Sequence, residues 1–406
     1  MNANSKIALS VGCMLWAACG TPSSRTPDLD TIRRIGESAV HDDGIVGLSI
    51  AVSLHGRVIF AEGFGHADLE RTTPANEHTI YDIASVGKQY TSVAVLKLVD
   101  EGELSLNDRI RELVPQTPAH FPNATLEELL RHTSGFASGV LDELDPPVGL
   151  DQPRTGLEWL DDGPLRQGRI VFQPSETFLY SNSGYLMLGL AIEAASGRPY
   201  AEYVAEELLE PAGLHSTTVC QRPDSPLMAD SLHRTEAGIA RVPFIHMSTY
   251  GGAGSICASV TDLIAWEHAL EAGRLISRDS LERFRTPSRV RGTVESAHMP
   301  YGMGQRLGTF RGHRKVGHTG TFDGGSASLA HFPDAELTIA VLTNTRGLGT
   351  PHARAIETEI AAAFLAPEST DWPPRAVPLS IQERRQIEGH YDLHPIFGPR
   401  VMRHSA

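Results

Sequence analysis

Ser85 and Lys88 stand three residues apart at the start of a stretch, Ser85 to Glu101, that reads as a helix. That spacing puts both side chains on one helical face, where an amine can take the serine proton and leave a nucleophilic oxygen. Arginine could not serve, because a guanidinium stays charged at any ordinary pH, whereas a lysine shielded from water can become neutral. The residue type is informative here, since the chain has 35 basic residues but only four lysines, Lys6, Lys88, Lys97 and Lys315. Taken alone, the pair also reads as a helix cap followed by a solvated lysine. From Val93 to Val99 the helix is apolar nearly all round, so it should run through the core and present Ser85 at its N-terminus to a cleft.

Two further segments give the pair its context. Tyr180-Ser181-Asn182 lies between Gln173-Pro174 and a helical stretch from Tyr185, and His318-Thr319-Gly320 ends a predicted strand. With Ser85-Val86-Gly87-Lys88 they resemble, in order, the three signature elements of the serine β-lactamase and penicillin-binding superfamily. The Tyr-Ser-Asn version is similar to class C β-lactamases and their peptidase and esterase relatives, D-alanyl-D-alanine carboxypeptidases among them. Leu129-Leu130-Arg131-His132-Thr133-Ser134-Gly135, Gly251-Gly252-Ala253-Gly254-Ser255 and His318 through Gly325 also run as such sequences do, and the likeness extends over residues 30 to 365.

The resemblance implies roles for each position. Ser85 would be the acylated nucleophile and Lys88 its proton acceptor, while Tyr180 would relay protons to the leaving group and help activate the deacylating water. Asn182 would hydrogen-bond the acyl amide, and the backbone N–H groups of Ser85 and Thr321 would form the oxyanion hole. His318, Thr319 and Gly320 would line the substrate. Class C β-lactamases usually carry lysine before the Thr-Gly, whereas this chain has His318. A histidine is only partly charged near neutral pH and should hold a substrate carboxylate less firmly.

No cofactor or metal is expected, since neither His-Glu-x-x-His nor a His-x-His-x-Asp cluster occurs among 18 histidines. The absence of Gly-x-Ser-x-Gly removes the nucleophile elbow of the α/β-hydrolases. The leading reading is an exported serine hydrolase that forms an acyl-enzyme on an amide, peptide or ester, with D-amino-acid or peptidoglycan-like substrates favoured. A β-lactamase is the alternative enzyme, and a non-catalytic scaffold on the same fold is the alternative of another class.

The elements that must position these residues can be read on either side of them. Residues 46 to 54 alternate, with Leu48, Ile50, Val52 and Leu54 on one face and Gly47, Ser49, Ala51 and Ser53 on the other, then turn at His55-Gly56 into a strand at Arg57 to Phe60. This predicts a hairpin with one buried face. Strand grammar returns at Gln305 to Phe310, Arg314 to Gly317, Ser326 to Phe332 and Leu337 to Asn344, followed by a helix from Thr350 with Pro351 in its first turn. Helices are expected between, at Leu126 to Arg131, Tyr185 to Ala195 and Thr261 to Ala272. The fold class is therefore α/β (α+β): an antiparallel sheet flanked by helices and completed by both ends of the chain, plus an inserted all-helical lobe, which is the two-lobed β-lactamase/transpeptidase-like plan that the resemblance implies.

Outside that domain the sequence is punctuated differently. Lys6 and the apolar run Ile7 to Ala18 read as a secretion signal over residues 1 to 19, and Ala17-Ala18-Cys19-Gly20 resembles a lipoprotein cleavage site that would leave Cys19 lipidated on a bacterial membrane, with Trp16 where the motif usually has leucine. Residues 366 to 380 form a proline-rich linker and 381 to 406 a short tail. Cys220 and Cys257 remain for the mature body, and either a disulfide or two buried thiols fits an oxidising envelope or periplasm. A formal charge of −14 without any basic block excludes nucleic acid as the main partner, leaving a small molecule or peptide; oligomeric state is not encoded legibly.

Overall fold

A computed structural model describes residues 29–136, 155, 156, 158, 170–220, 227–243, 251–288 and 300–365 of the chain. Residues 1 to 19 with Cys19, the loop at 139 to 154, the linker and the tail lie outside the described residues. In chain order the strands are β1 (Gly47–Leu54), β2 (Arg57–Gly65), β3 (Tyr81–Asp82), β4 (Thr218–Val219), β5 (Leu232–Thr235), β6 (Gly238–Arg241), β7 (Ile256–Ala258), β8 (Arg306–Phe310), β9 (His313–Phe322), β10 (Gly325–Phe332), β11 (Leu337–Thr343) and β12 (Thr345–Gly347). The helices that matter here are α1 (Leu29–His41), α2 (Lys88–Asp100), α3 (Leu126–Leu130), α4 (Asn182–Ser196), α5 (Val260–Glu271), α6 (Arg278–Phe284) and α7 (Ala353–Phe364).

The main sheet runs β2-β1-β11-β10-β9-β8, antiparallel throughout, so strands from the two ends of the domain lie side by side with Leu48 opposite Thr343. The expected hairpin forms, but β1 is buried on both faces rather than one. Leu48, Ile50 and Val52 join the apolar layer beneath α1 and α7, while Ala51 belongs to the larger core on the opposite face. Ser49 and Ser53 stand on that second face too, where their hydroxyls meet Tyr81 Oη at 2.9 Å and His268 Nε2 at 2.8 Å. The small residues that read as a solvent face are small because helices pack closely over them.

Two small sheets add strands from the inserted middle, β3-β7-β4 and β12-β5-β6, the second joined by β12 just after the main-sheet strand β11, and all are too short to show any period. The first matters for the site: β7 pairs with β3, Asp82 opposite Cys257, and a Cys220–Cys257 disulfide with Cα atoms 5.6 Å apart ties β7 to the end of β4. α7 starts at Ala353 with His352 as its cap, so Pro351 precedes the helix instead of occupying its first turn. No helix among the described residues is long and apolar enough to cross a membrane.

Candidate active site

The chain reaches α2 through a strained turn. Ala84 has φ +46°, and its N–H donates to the buried Asp82 carboxyl at 2.7 Å, which holds the turn at the end of β3. Burial pushes the Asp82 acid up to about 7. Ser85 follows within a single 3₁₀ turn, Ala84–Gly87, and Lys88 opens α2 directly behind it.

Lys88 is fully buried, and its Nζ donates to Ser85 Oγ at 3.1 Å, Asn182 Oδ1 at 2.8 Å and the Ala253 carbonyl at 2.6 Å. Lys97 and Lys315 instead meet carboxylates, at Glu101 and Glu357. The bonds from Lys88 run to uncharged oxygens. As an ammonium the group can donate to all three; as a neutral amine it can keep Asn182 and Ala253 as acceptors and turn its lone pair to Ser85. One geometry thus suits both protonation states of the amine.

Tyr180 and Asn182 come to this amine from the start of α4. Ser181 caps the helix, accepting from the Gly184 N–H at 3.1 Å, so Asn182 is its first residue and Tyr180 lies just outside. The Tyr180 ring centroid is 5.0 Å from Lys88 Nζ, and on the Arg306 side the guanidinium carbon lies 5.6 Å from the same ring. His318, Thr319, Gly320 and Thr321 lie along β9. A Cβ on Gly320 would stand 2.0 Å from the Ile83 carbonyl oxygen and 3.1 Å from Ala84 Cβ, so only glycine lets β9 lie against the turn that carries Ser85. This contact places Thr321 one residue along the strand from the turn that carries Ser85.

His318 is placed differently from expectation. It is buried, its Nδ1 donates to the Thr319 carbonyl at 2.7 Å, and its Nε2 lies 3.1 Å from the Tyr301 hydroxyl. With Nδ1 as donor, Nε2 accepts from Tyr301, which describes a neutral imidazole with both nitrogens engaged by protein. Burial first, then the positive charges of Arg306 and Lys88, hold it well below the usual histidine range. The partial positive charge read from the sequence is absent; Arg306, on the adjoining strand β8, brings the charge to this side of the site.

His132, Tyr301, Arg306 and the Ala253 carbonyl were not singled out as site residues. His132 ends the turn after α3 with φ +58°; its ring lies 4.3 Å from that of Tyr180 and 4.7 Å from that of Tyr301. Only the motif-like run from Leu129 to Gly135 hinted at it. Elsewhere, Glu267, Glu271 and His331 have metal-like spacing, but the Arg285 guanidinium bonds both carboxylates, and the group reads as an ion-pair cluster.

Comparison with known proteins bears on the whole assembly. A family model described as Beta-lactamase matches residues 32–364. Penicillin-binding protein 4* of Bacillus subtilis is 26% identical over 313 residues, 71% of this chain and 66% of that protein. A D-aminopeptidase of Brucella anthropi is 29% identical over 322 residues, 78% of this chain and 58% of that protein. The chain therefore spans about three fifths to two thirds of the length of these relatives. Among solved structures, the octameric penicillin-binding protein homologue from Pyrococcus abyssi superposes with a TM-score of 0.72 at 28% identity, covering 82% of this chain and 77% of that one. With most of its length matched and its sheet arranged around a Ser-x-x-Lys turn, this chain belongs to the β-lactamase family.

Proposed function

We propose that the chain is an exported serine hydrolase that cleaves an amide or peptide bond beside a D-amino acid, with an anionic group on the leaving side of the substrate. The observation that carries the reading is the Lys88 amine, which gathers Ser85, three positions before it, and Asn182, 94 positions after it, beneath the ring of Tyr180. Ser85 Oγ attacks the carbonyl as its proton passes to Lys88. The oxyanion is held by the Ser85 and Thr321 N–H groups, Tyr180 passes a proton to the leaving nitrogen, and water releases the acyl group by the reverse relay. Asn182, with Thr319 and Gly320, aligns the substrate.

The D-amino-acid preference is supported by the relatives, one named a D-aminopeptidase and one a penicillin-binding protein. Arg306 beside Tyr180 favours a carboxylate over a free ammonium, and so a carboxypeptidase over an aminopeptidase. Export, with Cys19 as a lipid anchor at the membrane, is supported by the basic and apolar start and by the disulfide, which belongs in an oxidising compartment.

Intact mass after a serine-reactive phosphonate and after a penicillin, with Ser85→Ala beside the unaltered protein, tests the nucleophile. A lasting penicillin adduct missing from Ser85→Ala is expected, whereas rapid drug loss without an adduct would make the protein a β-lactamase. Substrate class is tested with an acyl-D-alanyl-D-alanine, its C-terminal amide and a D-amino-acid amide bearing a free amine. The free acid should be turned over fastest; preference for the free amine would overturn the carboxypeptidase reading.

A further inference from the structure

His132 touches three successive residues of the loop that carries Tyr180, each by a different part of itself. Its carbonyl accepts from the Leu179 N–H at 2.9 Å, its ring lies 4.3 Å from the Tyr180 ring, and its Nδ1 accepts from the Ser181 N–H at 3.1 Å. Nothing in the proposed chemistry uses this histidine. Its location is costly nonetheless: it is 1% exposed, its backbone is left-handed at φ +58°, and its Nε2 makes no hydrogen bond. Since Nδ1 accepts, the proton of the neutral ring sits on that unbonded Nε2.

A residue kept in a strained turn with a buried donor unmet needs a compensating task, and the contacts define one. We propose that His132 is the positioning residue of Tyr180, a template that fixes the phenol over Lys88 by holding the residue before it, the ring itself and the residue after it. Tyr180 has no helix to orient it, because α4 begins two residues later. Without the template, the loop from Gln173 would deliver the phenol to Lys88 only part of the time. The acylating pair, fixed independently by α2 and the Ala253 carbonyl, would be untouched.

The inference rests on the relay role of Tyr180 proposed above, and a double-mutant cycle separates the two. His132→Phe keeps a ring but loses the Nδ1 acceptor, and His132→Asn keeps an acceptor and tolerates the left-handed backbone but loses the ring. Each should lower kcat on acyl-D-alanyl-D-alanine by about 10- to 100-fold, less than the about 10²- to 10⁴-fold that one general acid–base group contributes, because the phenol is misplaced rather than removed. KM and the rate of labelling by the phosphonate should change less than about threefold, since these do not draw on the relay. In a Tyr180→Phe background the same substitutions should have no further effect on kcat. If Tyr180→Phe lowers kcat and His132→Phe lowers it further by the same factor, the template role is wrong and His132 merely supports the fold. Should Tyr180→Phe retain full turnover, the relay itself fails, while unchanged kcat in both His132 variants would dismiss the inference alone. Where one variant does not fold, the other completes the cycle.

Discussion

Two polar clusters, one built on the buried Glu267 and one on the buried Lys88, accommodate charge inside the fold in opposite ways. Around Glu267, Arg285 bonds both Glu267 and Glu271, and His331 Nε2 lies 3.2 Å from Glu271, so each charge has an opposite or a donor against it. Around Lys88 the bonds run to a hydroxyl, an amide and a peptide carbonyl, and two histidines held neutral pack nearby. The first arrangement sets opposite charges against one another inside the fold; the second sets the amine against neutral oxygens. Substitutions should therefore separate cleanly, costing stability in one cluster and turnover in the other.

The sharpest form of that contrast is Lys88→Met, which should abolish turnover by at least about a thousandfold while thermal unfolding shows a midpoint unchanged or raised, because a buried cation has been removed. A large drop in midpoint would mean that Lys88 serves the fold like Arg285. Glu267→Ala should do the reverse. Breaking a buried pair costs about 3–5 kcal/mol, read by urea unfolding, with kcat within about twofold of the unaltered enzyme. Arg306→Gln comes next and probes the cation outside the amine's own bonds: KM for the acyl dipeptide should rise about tenfold, the loss of one charged hydrogen bond, while the C-terminal amide is unaffected.

The smallest effect concerns acid. The hydrogen bond from His331, and then the Arg285 charge, hold the Glu271 carboxyl down at about 2. A carboxyl depressed in the fold stabilises above its unfolded value, and that contribution fades as pH falls from the ordinary range near 4.5 toward 2. Melting curves of the unaltered protein and Glu271→Gln should converge across that window and differ at pH 6. Parallel curves would show that the cluster is not organised by this carboxylate.

The same contrast explains what could be read from the chain beforehand. Ser85, Lys88, Tyr180 and Asn182, which the fold brings together, stand in short local patterns, and the main-sheet strands are bounded by turns such as His55-Gly56 and Pro333-Asp334. His132 is invisible by that route: its meaning lies in a bond to Ser181, 49 positions away, and no local period encodes such a contact. Arg306 was read as an ordinary strand residue, since only the fold turns its guanidinium toward Tyr180. His318 was legible as a position but not as a charge, which Tyr301 and burial decide. The two-sided burial of β1 was missed because Ser49, Ala51 and Ser53 are small for packing reasons that mimic a polar face. Cys220 and Cys257 were open to either state, and the pairing depends on β7 lying between β3 and β4.

The position of β1 in the sheet has a kinetic consequence. Leu48 pairs with Thr343, so nearly the whole domain must be synthesised before β1 has its inner neighbour. At about 5–20 residues per second, that interval lasts tens of seconds. Pairings of such long range are also slow to form once the chain is complete. Throughout that wait the β1–β2 hairpin can close, but its inner edge and the apolar face around Leu48, Ile50 and Val52 stay uncovered.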